Sequence, residues 1–221
     1  MSKLGAGEQR DGMARWAGLA AVVGTVFLLV YFTVPALSGW PFAGGTPTAL
    51  ANYASDHALL FFAGGWFQTV GSALCVAFVL AVLRMAGTVV SFAGLLAMVG
   101  GATLLAVVLA EAVVLESVPV AAASGDSTTA AVAFALSNGV FVRIFPLIPA
   151  PMVFVGVGFA GRGVLGGWLA RSAIVLAGAF VLAGALAVVT PVGVFVGIGL
   201  SVMQAVWFLA AGLRMLLRRG N

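Results

Sequence analysis

The charged residues of this chain are few, and long apolar runs separate them. Of its 221 residues, 10 are basic and 6 are acidic, so charged residues make up 7% of the chain and hydrophobic residues 63%. A soluble domain carries about a quarter charged residues and cannot hide this much apolar surface from water. The composition therefore predicts a chain that lies largely within a lipid bilayer.

The apolar runs are long enough to cross a bilayer as helices, since ~20 residues at ~1.5 Å each span ~30 Å of hydrocarbon. In lipid, every backbone polar group must be bonded within its segment. Continuous apolar runs, instead of alternating ones, argue against a β-barrel. The sequence predicts an all-α fold in which residues 1–221 form one polytopic membrane domain. The expected spans are residues 14–35, 57–83, 88–114, 129–160, 170–189 and 192–216.

The first span and the loop after it carry recognisable signals. The apolar run 17–34 is long enough to cross the membrane, so we interpret it as a retained first helix and not as a cleaved signal peptide. Thr46 and Pro47 are typical of an N-cap followed by proline at the first helical position. Apolar residues then recur at helical spacing, which predicts a short amphipathic helix in the first outer loop.

The basic residues predict the orientation of the bundle. The loops 36–56, 115–128 and 190–191 contain no Lys or Arg. Short cytoplasmic loops carry an excess of Lys and Arg, so the opposite side is expected to face the cytoplasm, with both termini there. This predicts a multi-pass protein of the cytoplasmic (inner) membrane. The nine basic residues on that side are Lys3, Arg10, Arg15, Arg84, Arg162, Arg171, Arg214, Arg218 and Arg219.

Several polar residues are expected at one depth near the outer face. Counting ~1.5 Å per residue from the inner helix ends places Gln68 at ~24 Å, Arg143 at ~27 Å, and Glu111 and Asn138 at ~34 Å. His57 lies above them, at the outer interface. Charged residues inside a membrane are costly and often functional. These five residues form the candidate ligand-binding site.

Arg143 and Glu111 are open to two interpretations. In one, they form a closed salt bridge between consecutive spans, or Arg143 extends its guanidinium to the outer headgroups. In the other, they line an outward-facing pocket in which Arg143 binds an anionic headgroup or a carboxylate. Gln204, in the last span, is expected to stand apart from this layer, near the middle of the membrane.

After Arg143, the six residues 146–151 contain three prolines: Pro146, Pro149 and Pro151. Proline lacks a backbone N–H and clashes with the preceding helical turn, so the fourth span is expected to kink or break there. A broken helix beside an intramembrane charge is typical of transporter sites. A static kink is the alternative.

The sequence lacks the signatures of most enzymes and cofactor sites. Its one histidine and one cysteine, Cys75, give no metal or haem ligand set, and no H-E-x-x-H, C-x-x-C, Walker A or G-x-S-x-G motif is present. No basic run is interleaved with aromatic residues, which argues against nucleic-acid binding. We therefore expect no cofactor and no metal, and catalysis has no positive support.

The segment Gly161-Arg162-Gly163-Val164-Leu165-Gly166-Gly167-Trp168-Leu169-Ala170-Arg171 resembles the turn between the fourth and fifth helices of uncharacterised six-helix bacterial membrane proteins. Those proteins join the two helices through a basic residue, a short turn and a Trp-Leu pair. The resemblance implies a six-helix fold and no known activity.

The sequence supports two main functional hypotheses. The first is a protein that binds or transports a small anionic or amphiphilic ligand, such as a lipid, through the outward-facing polar pocket. The second is a structural or accessory subunit that packs against a larger membrane complex and has no ligand site. A membrane-embedded enzyme is a third hypothesis. The expected partners are membrane lipids, such a ligand, or another membrane protein.

Overall fold

The computed structural model describes residues 3–40 and 46–217, which contain helices joined by short turns and no strand. A single π-helical turn, Ser137–Phe141, interrupts the α-helices. In chain order the α-helices are α1 (Lys3–Leu37), α2 (Pro47–Asp56), α3 (Ala58–Ala86), α4 (Phe92–Ala123), α5 (Ser127–Leu136), α6 (Val142–Leu147), α7 (Pro149–Ala160), α8 (Arg162–Leu165), α9 (Gly167–Val189) and α10 (Pro191–Leu217).

Six stretches of the described chain are helical, long and apolar enough to cross a membrane. The fold is therefore that of a helical, multi-pass integral membrane protein. The stretches are Asp11–Pro35, Ala58–Ala86, Phe92–Ala123, Arg143–Ala160, Gly167–Val189 and Pro191–Leu217.

The third span is longer than the sequence suggested. We expected it to end near residue 114 and a loop to come after it, but α4 continues to Ala123 with Pro119 inside it. Alanine is the strongest helix former, and the run after Pro119 is rich in it. The connection to α5 is therefore a short turn, closed by Gly125 at a positive φ of 80°.

Asp126 begins α5 as its N-cap. Its Oδ1 accepts from the Thr129 backbone N–H at 2.9 Å, and its Oδ2 accepts from the Thr129 hydroxyl at 2.6 Å. These hydrogen bonds favour the carboxylate and hold the pKa of Asp126 below its ordinary value. The cap is therefore intact at neutral pH and is lost only as the pH falls through that lowered pKa.

The fourth crossing is divided into several pieces. The expected helix 129–160 consists of α5, the π-helical turn, α6 and α7, and the chain leaves helical geometry at Ile148. Pro149 and Pro151 fall in the first turn of α7, where backbone N–H groups have no helical acceptor, so their missing donors leave no gap there. Pro146 lies within α6.

One end of the bundle, which we call the basic end, is formed by three segments. They are the turn after α3, the turn between α7 and α9, and the C-terminal part of α10. The Thr88 hydroxyl donates to the Ala160 carbonyl at 3.1 Å. The Cβ position of Gly166 lies against the Arg214 guanidinium. Four arginines lie within or next to these segments: Arg84 in the last turn of α3, Arg162 in α8, Arg171 near the start of α9 and Arg214 near the end of α10.

Two glycine pairs hold α1 close to its neighbours. A Cβ on Gly18 would lie 2.7 Å from the Gly212 carbonyl oxygen of α10, and a Cβ on Gly212 would lie 2.9 Å from the Gly18 carbonyl oxygen. Gly24 and Gly71 of α3 are related in the same way, at 2.8 and 2.9 Å. Small residues allow such backbone contact, and close packing drives helix association in lipid.

An aromatic core lies between α3, α7, α9 and α10. The Phe154 ring lies 5.2 Å from Trp207 and 6.1 Å from Phe180. The Trp207 indole N–H donates to the Leu169 carbonyl at 3.1 Å and to the Ser172 hydroxyl at 3.2 Å. A buried indole needs such an acceptor, so Trp207 fixes α10 against the start of α9.

A second cluster of aromatic residues lies at the end opposite the basic end. Trp40 stacks on Phe134 of α5 at 5.2 Å and packs against Phe61 of α3 at 4.9 Å. Tyr53 of α2 packs edge-on against Trp40 at 5.9 Å. Helix α2 is capped by the Thr46 hydroxyl, which accepts from the Ala49 N–H. These contacts fix α2 to the ends of the spans.

We expect Gly24→Val to lower the thermal unfolding midpoint of the detergent-solubilised protein. The added side chain would overlap the α3 backbone at Gly71, and such overpacking destabilises by about 1–3 kcal/mol. The matched control is Gly178→Val in α9, because Gly178 is exposed and has no atom within 4 Å of its Cβ position. Equal midpoints for both variants would show that the α1–α3 crossing does not depend on glycine.

Candidate functional site

A cavity with a volume of about 100 Å³ lies between α1, α3, α4, α6 and α10. Gln68 stands sixteen residues before Arg84, and Gln204 stands ten residues before Arg214, which places them about 24 and 15 Å from the basic end. With ~30 Å of hydrocarbon, the cavity extends from mid-membrane into the half far from the basic end. A single water molecule needs ~10–15 Å³ of such volume, so the cavity is larger than one water requires.

Helical periodicity brings the polar side chains of three spans to this cavity. On α3, Gln68 and Ser72 are four residues apart, and on α10, Ser201 and Gln204 are three apart. Residues at these spacings share one face of a helix. Glu111 completes the polar wall from α4, where the rest of its face is apolar.

Glu111 is the only charged side chain on the described wall of the cavity. It is 8% exposed, and Gln68 beside it is 6% exposed. The Gln68 Nε2 donates to Glu111 Oε2 at 2.6 Å. The Tyr31 hydroxyl donates to Glu111 Oε1 at 3.5 Å, which is long for an O–H···O hydrogen bond. One carboxyl oxygen is therefore held tightly, and the other keeps most of its accepting capacity.

Three further polar groups of the cavity have hydrogen-bonding capacity to spare. The Gln68 Oε1 is buried and has no hydrogen-bond partner among the described residues. The side chains of Ser72 and Gln204, both buried, likewise form no hydrogen bond within the described chain. Buried polar groups are nearly always paired with protein, water or ligand. The wall of this cavity is therefore incompletely satisfied by the protein alone.

Arg143 lies outside this cavity. Its side chain is exposed, and its guanidinium donates to the Gly139 carbonyl, through Nη1, and to the Ala187 carbonyl, through Nε at 3.3 Å. Phe145 lines the cavity two residues later, which on a helix is about 200° around. Arg143 thus bonds to α9 outside the cavity, whereas Phe145 lines the cavity and also packs edge-on against Phe180 of α9 at 5.5 Å.

The expected contact between Arg143 and Glu111 is absent: the hydrogen bonds of each go to other groups, and no ion pair joins these two described side chains. Of the five expected site residues, Glu111 and Gln68 are brought together. The level of Glu111 also differs from the one we expected, because α4 begins at Phe92 and Glu111 lies only about 28 Å along it.

The structure also describes His57 and the backbone of Asn138. His57 joins α2 to α3, where its Nδ1 contacts the Tyr53 carbonyl at 3.0 Å and its ring stacks on Tyr53 at 4.3 Å. Its contacts with Tyr53 therefore belong to the junction between α2 and α3. The backbone of Asn138 belongs to the π-helical turn, and its side chain lies outside the described ones. Of the three prolines, Pro146 faces α10, with its Cγ 3.7 Å from the Cβ position of Gly197.

Sequence reasoning missed Tyr31, Ser72 and Ser201, and it set Gln204 apart from the polar layer. All four line the cavity with Glu111 and Gln68. The signal was the helical spacing of polar residues within apolar spans, at 68 and 72 and at 201 and 204. The spacing alone does not predict which helices face one another.

The polar groups on the described wall of the cavity are one carboxyl group, amides and hydroxyls. In the described part of the chain, no group of three or more His, Cys, Asp or Glu residues could hold a metal ion. Cys75, a free and buried cysteine, also lines the cavity. An acidic group, amides and hydroxyls on an otherwise apolar wall suit a molecule with one polar end.

Comparisons with known proteins add no family to these observations: the chain matches no protein-family model, no curated protein and no solved structure. The resemblance of residues 161–171 to six-helix bacterial membrane proteins stays a prediction.

We expect Gln68→Leu to destabilise the protein more than the double substitution Gln68→Leu with Glu111→Leu. The single change leaves a buried carboxyl group without its closest donor, and an unsatisfied buried polar group costs about 1–3 kcal/mol, more if charged. Replacing both partners removes that cost. Thermal unfolding in detergent across the four proteins of this double-mutant cycle measures the coupling, and strictly additive effects would contradict it.

Proposed function

We propose that this protein binds a small amphiphilic molecule in the cavity between α1, α3, α4, α6 and α10. The observation that carries the proposal is the pairing of Glu111 with Gln68 on a mostly apolar wall, beside polar groups that have no hydrogen-bond partner among the described residues. The apolar wall suits a hydrocarbon body, and the polar groups suit one hydrogen-bonding head. Binding is also the first step of transport. The divided fourth crossing supplies Phe145 to the cavity, and a broken helix at the site is consistent both with binding alone and with transport.

The charge of the cavity disfavours an anionic ligand, which was one of the expectations from the sequence. The described wall holds a carboxyl group and no basic side chain, and the one basic residue at this depth, Arg143, bonds to carbonyls outside it. A buried anion without a compensating cation is strongly unfavourable. Of the two ligand classes, the amphiphile is the one that we retain.

We also infer that the basic end of the bundle faces the cytoplasm and that the protein resides in the cytoplasmic membrane. The support is the excess of Arg and Lys at that end and their absence from the opposite loops. In this orientation, both termini are cytoplasmic, α2 lies at the outer surface, and the cavity lies in the outer half of the membrane.

We expect an amphiphilic molecule to co-purify with the wild-type protein and to be lost from Gly197→Leu. Gly197 lines the cavity, and its Cβ position has only ordinary contacts, so a larger side chain there would occupy the cavity. The control is Gly199→Leu, two residues along α10, where Gly199 is exposed and has no atom within 4 Å. Mass spectrometry of organic extracts of the purified proteins makes the comparison.

The outcomes separate the two main hypotheses. A molecule present in wild type and Gly199→Leu, and depleted in Gly197→Leu, supports a ligand site. Equal amounts in all three would mean that the molecule sits on the lipid-facing surface. An extract without such a molecule, together with a stoichiometric membrane-protein partner, would instead favour an accessory subunit.

For the orientation, we expect Ser124→Cys to react with a membrane-impermeant maleimide in intact cells and Gly163→Cys to react only after the membrane is opened. Both positions are exposed, at opposite ends of the bundle. The native Cys75 is buried, which keeps the background low. The reverse labelling pattern would show that the basic end faces outward.

A further inference from the structure

We propose that the polar head of the bound molecule is a protonated amine, which forms an ion pair with Glu111. This inference rests on the proposed binding function and specifies the class of its ligand. The amine would replace the missing countercharge of a carboxyl group that the described part of the cavity leaves without a basic partner.

The arrangement of acceptors fits an ammonium group. Among the described residues, Glu111 Oε1 has one donor, the Tyr31 hydroxyl, at 3.5 Å. The neighbouring Gln68 donates its Nε2 to Glu111 and keeps its Oε1 without a partner. A carboxylate oxygen accepts up to two hydrogen bonds, and an ammonium group offers up to three donors and no acceptor. The unused capacity beside Glu111 is therefore of the accepting kind.

The same geometry disfavours other cations. Calcium takes six to eight oxygen ligands and magnesium demands an octahedral set, whereas the described wall supplies a single carboxyl group. No cluster of ligating side chains accompanies it within residues 3–40 and 46–217. Leu28, Leu104, Val108 and Phe208 form apolar wall around these acceptors. Such a surface suits the hydrocarbon body of an organic amine better than the hydration shell of a metal ion.

The helices around the cavity bring no competing cation to its described wall. Arg143, the one basic residue of the fourth crossing before the basic end, is turned toward α9 by its helical position. The described arginines of the spans α1, α3 and α10 lie at the basic end, at Arg15, Arg84 and Arg214. Because a buried charge needs a partner, a cationic ligand gains a strong interaction here that a neutral one does not.

The experiment compares three probes with the same hydrocarbon body: n-hexylamine, 1-hexanol and hexanoate. Each is titrated into the full-length protein in a neutral detergent, and the thermal unfolding midpoint is followed by tryptophan fluorescence. We expect hexylamine to raise the midpoint of the wild type and of Glu116→Gln. In Glu111→Gln, we expect its affinity to fall about tenfold or more, as for a lost charge-assisted hydrogen bond.

Glu116→Gln is the matched control because it makes the same change five residues along α4, where the Glu116 side chain packs against Gly65 and not in the cavity. If Glu111→Gln does not fold, Glu111→Asp keeps the charge, and Gln204→Leu removes an acceptor from the opposite wall. Hexylamine affinity is then expected to be kept in the former and reduced in the latter, and the reverse order would overturn the proposal.

The outcomes distinguish this inference from the function on which it rests. A rise with hexylamine that is lost in Glu111→Gln supports both. Equal rises with hexanol and hexylamine, unchanged in Glu111→Gln, would overturn the amine and keep the amphiphile site. A larger rise with hexanoate would overturn the amine as well. No rise with any of the three would overturn both proposals.

Discussion

The close approach of α1 to α3 and α10 determines much of the shape of this bundle. At Gly18–Gly212 and Gly24–Gly71, the backbones are so near that no side chain fits between them. One turn beyond Gly24, Leu28 already lines the cavity, and Tyr31 comes after it. The cavity thus overlaps the level of the Gly24–Gly71 contact, since Cys75, whose Sγ lies 3.1 Å from the Cβ position of Gly24, lines it as well. In lipid, where apolar burial adds little to helix association, such packing contacts carry the fold.

The cavity itself is organised by one carboxyl group. Glu111 is held from one side by the Gln68 amide at 2.6 Å, and the Tyr31 hydroxyl approaches its other oxygen at a longer distance. An arginine at a similar depth would be its natural partner, yet Arg143 bonds to backbone carbonyls of the π-helical turn and of α9. Carbonyls left without helical partners at helix ends and irregular turns are good acceptors for a guanidinium. Arg143 is therefore bonded to carbonyls at the broken fourth crossing and at the end of α9, and Glu111 remains in the cavity without a basic partner on the described wall.

Part of the candidate site could be predicted from the sequence, because polar residues inside apolar spans are conspicuous. Glu111 and Gln68 were expected at a site on that ground, and they do form a hydrogen bond. Arg143 was assigned to the same site from depth alone. Depth is set by position along a helix, whereas the face is set by its rotation, and the π-helical turn before Arg143 alters the rotation of α6. Ser72, Ser201 and Gln204 also line the cavity. That they share this cavity with Gln68 and Glu111 became clear only once the helices were packed together.

The sequence by itself determined that the described chain forms six membrane-spanning helices with basic residues at one end, because the cost of placing charges and unpaired backbone groups in lipid acts on each segment separately. It also placed prolines where the fourth crossing is interrupted, since a missing N–H is a local property. Only the tertiary structure decided that Glu111 faces Gln68 and Gln204 instead of Arg143. That choice depends on which helices pack together and how each is rotated, and close contacts between distant glycines fix both for α1, α3 and α10.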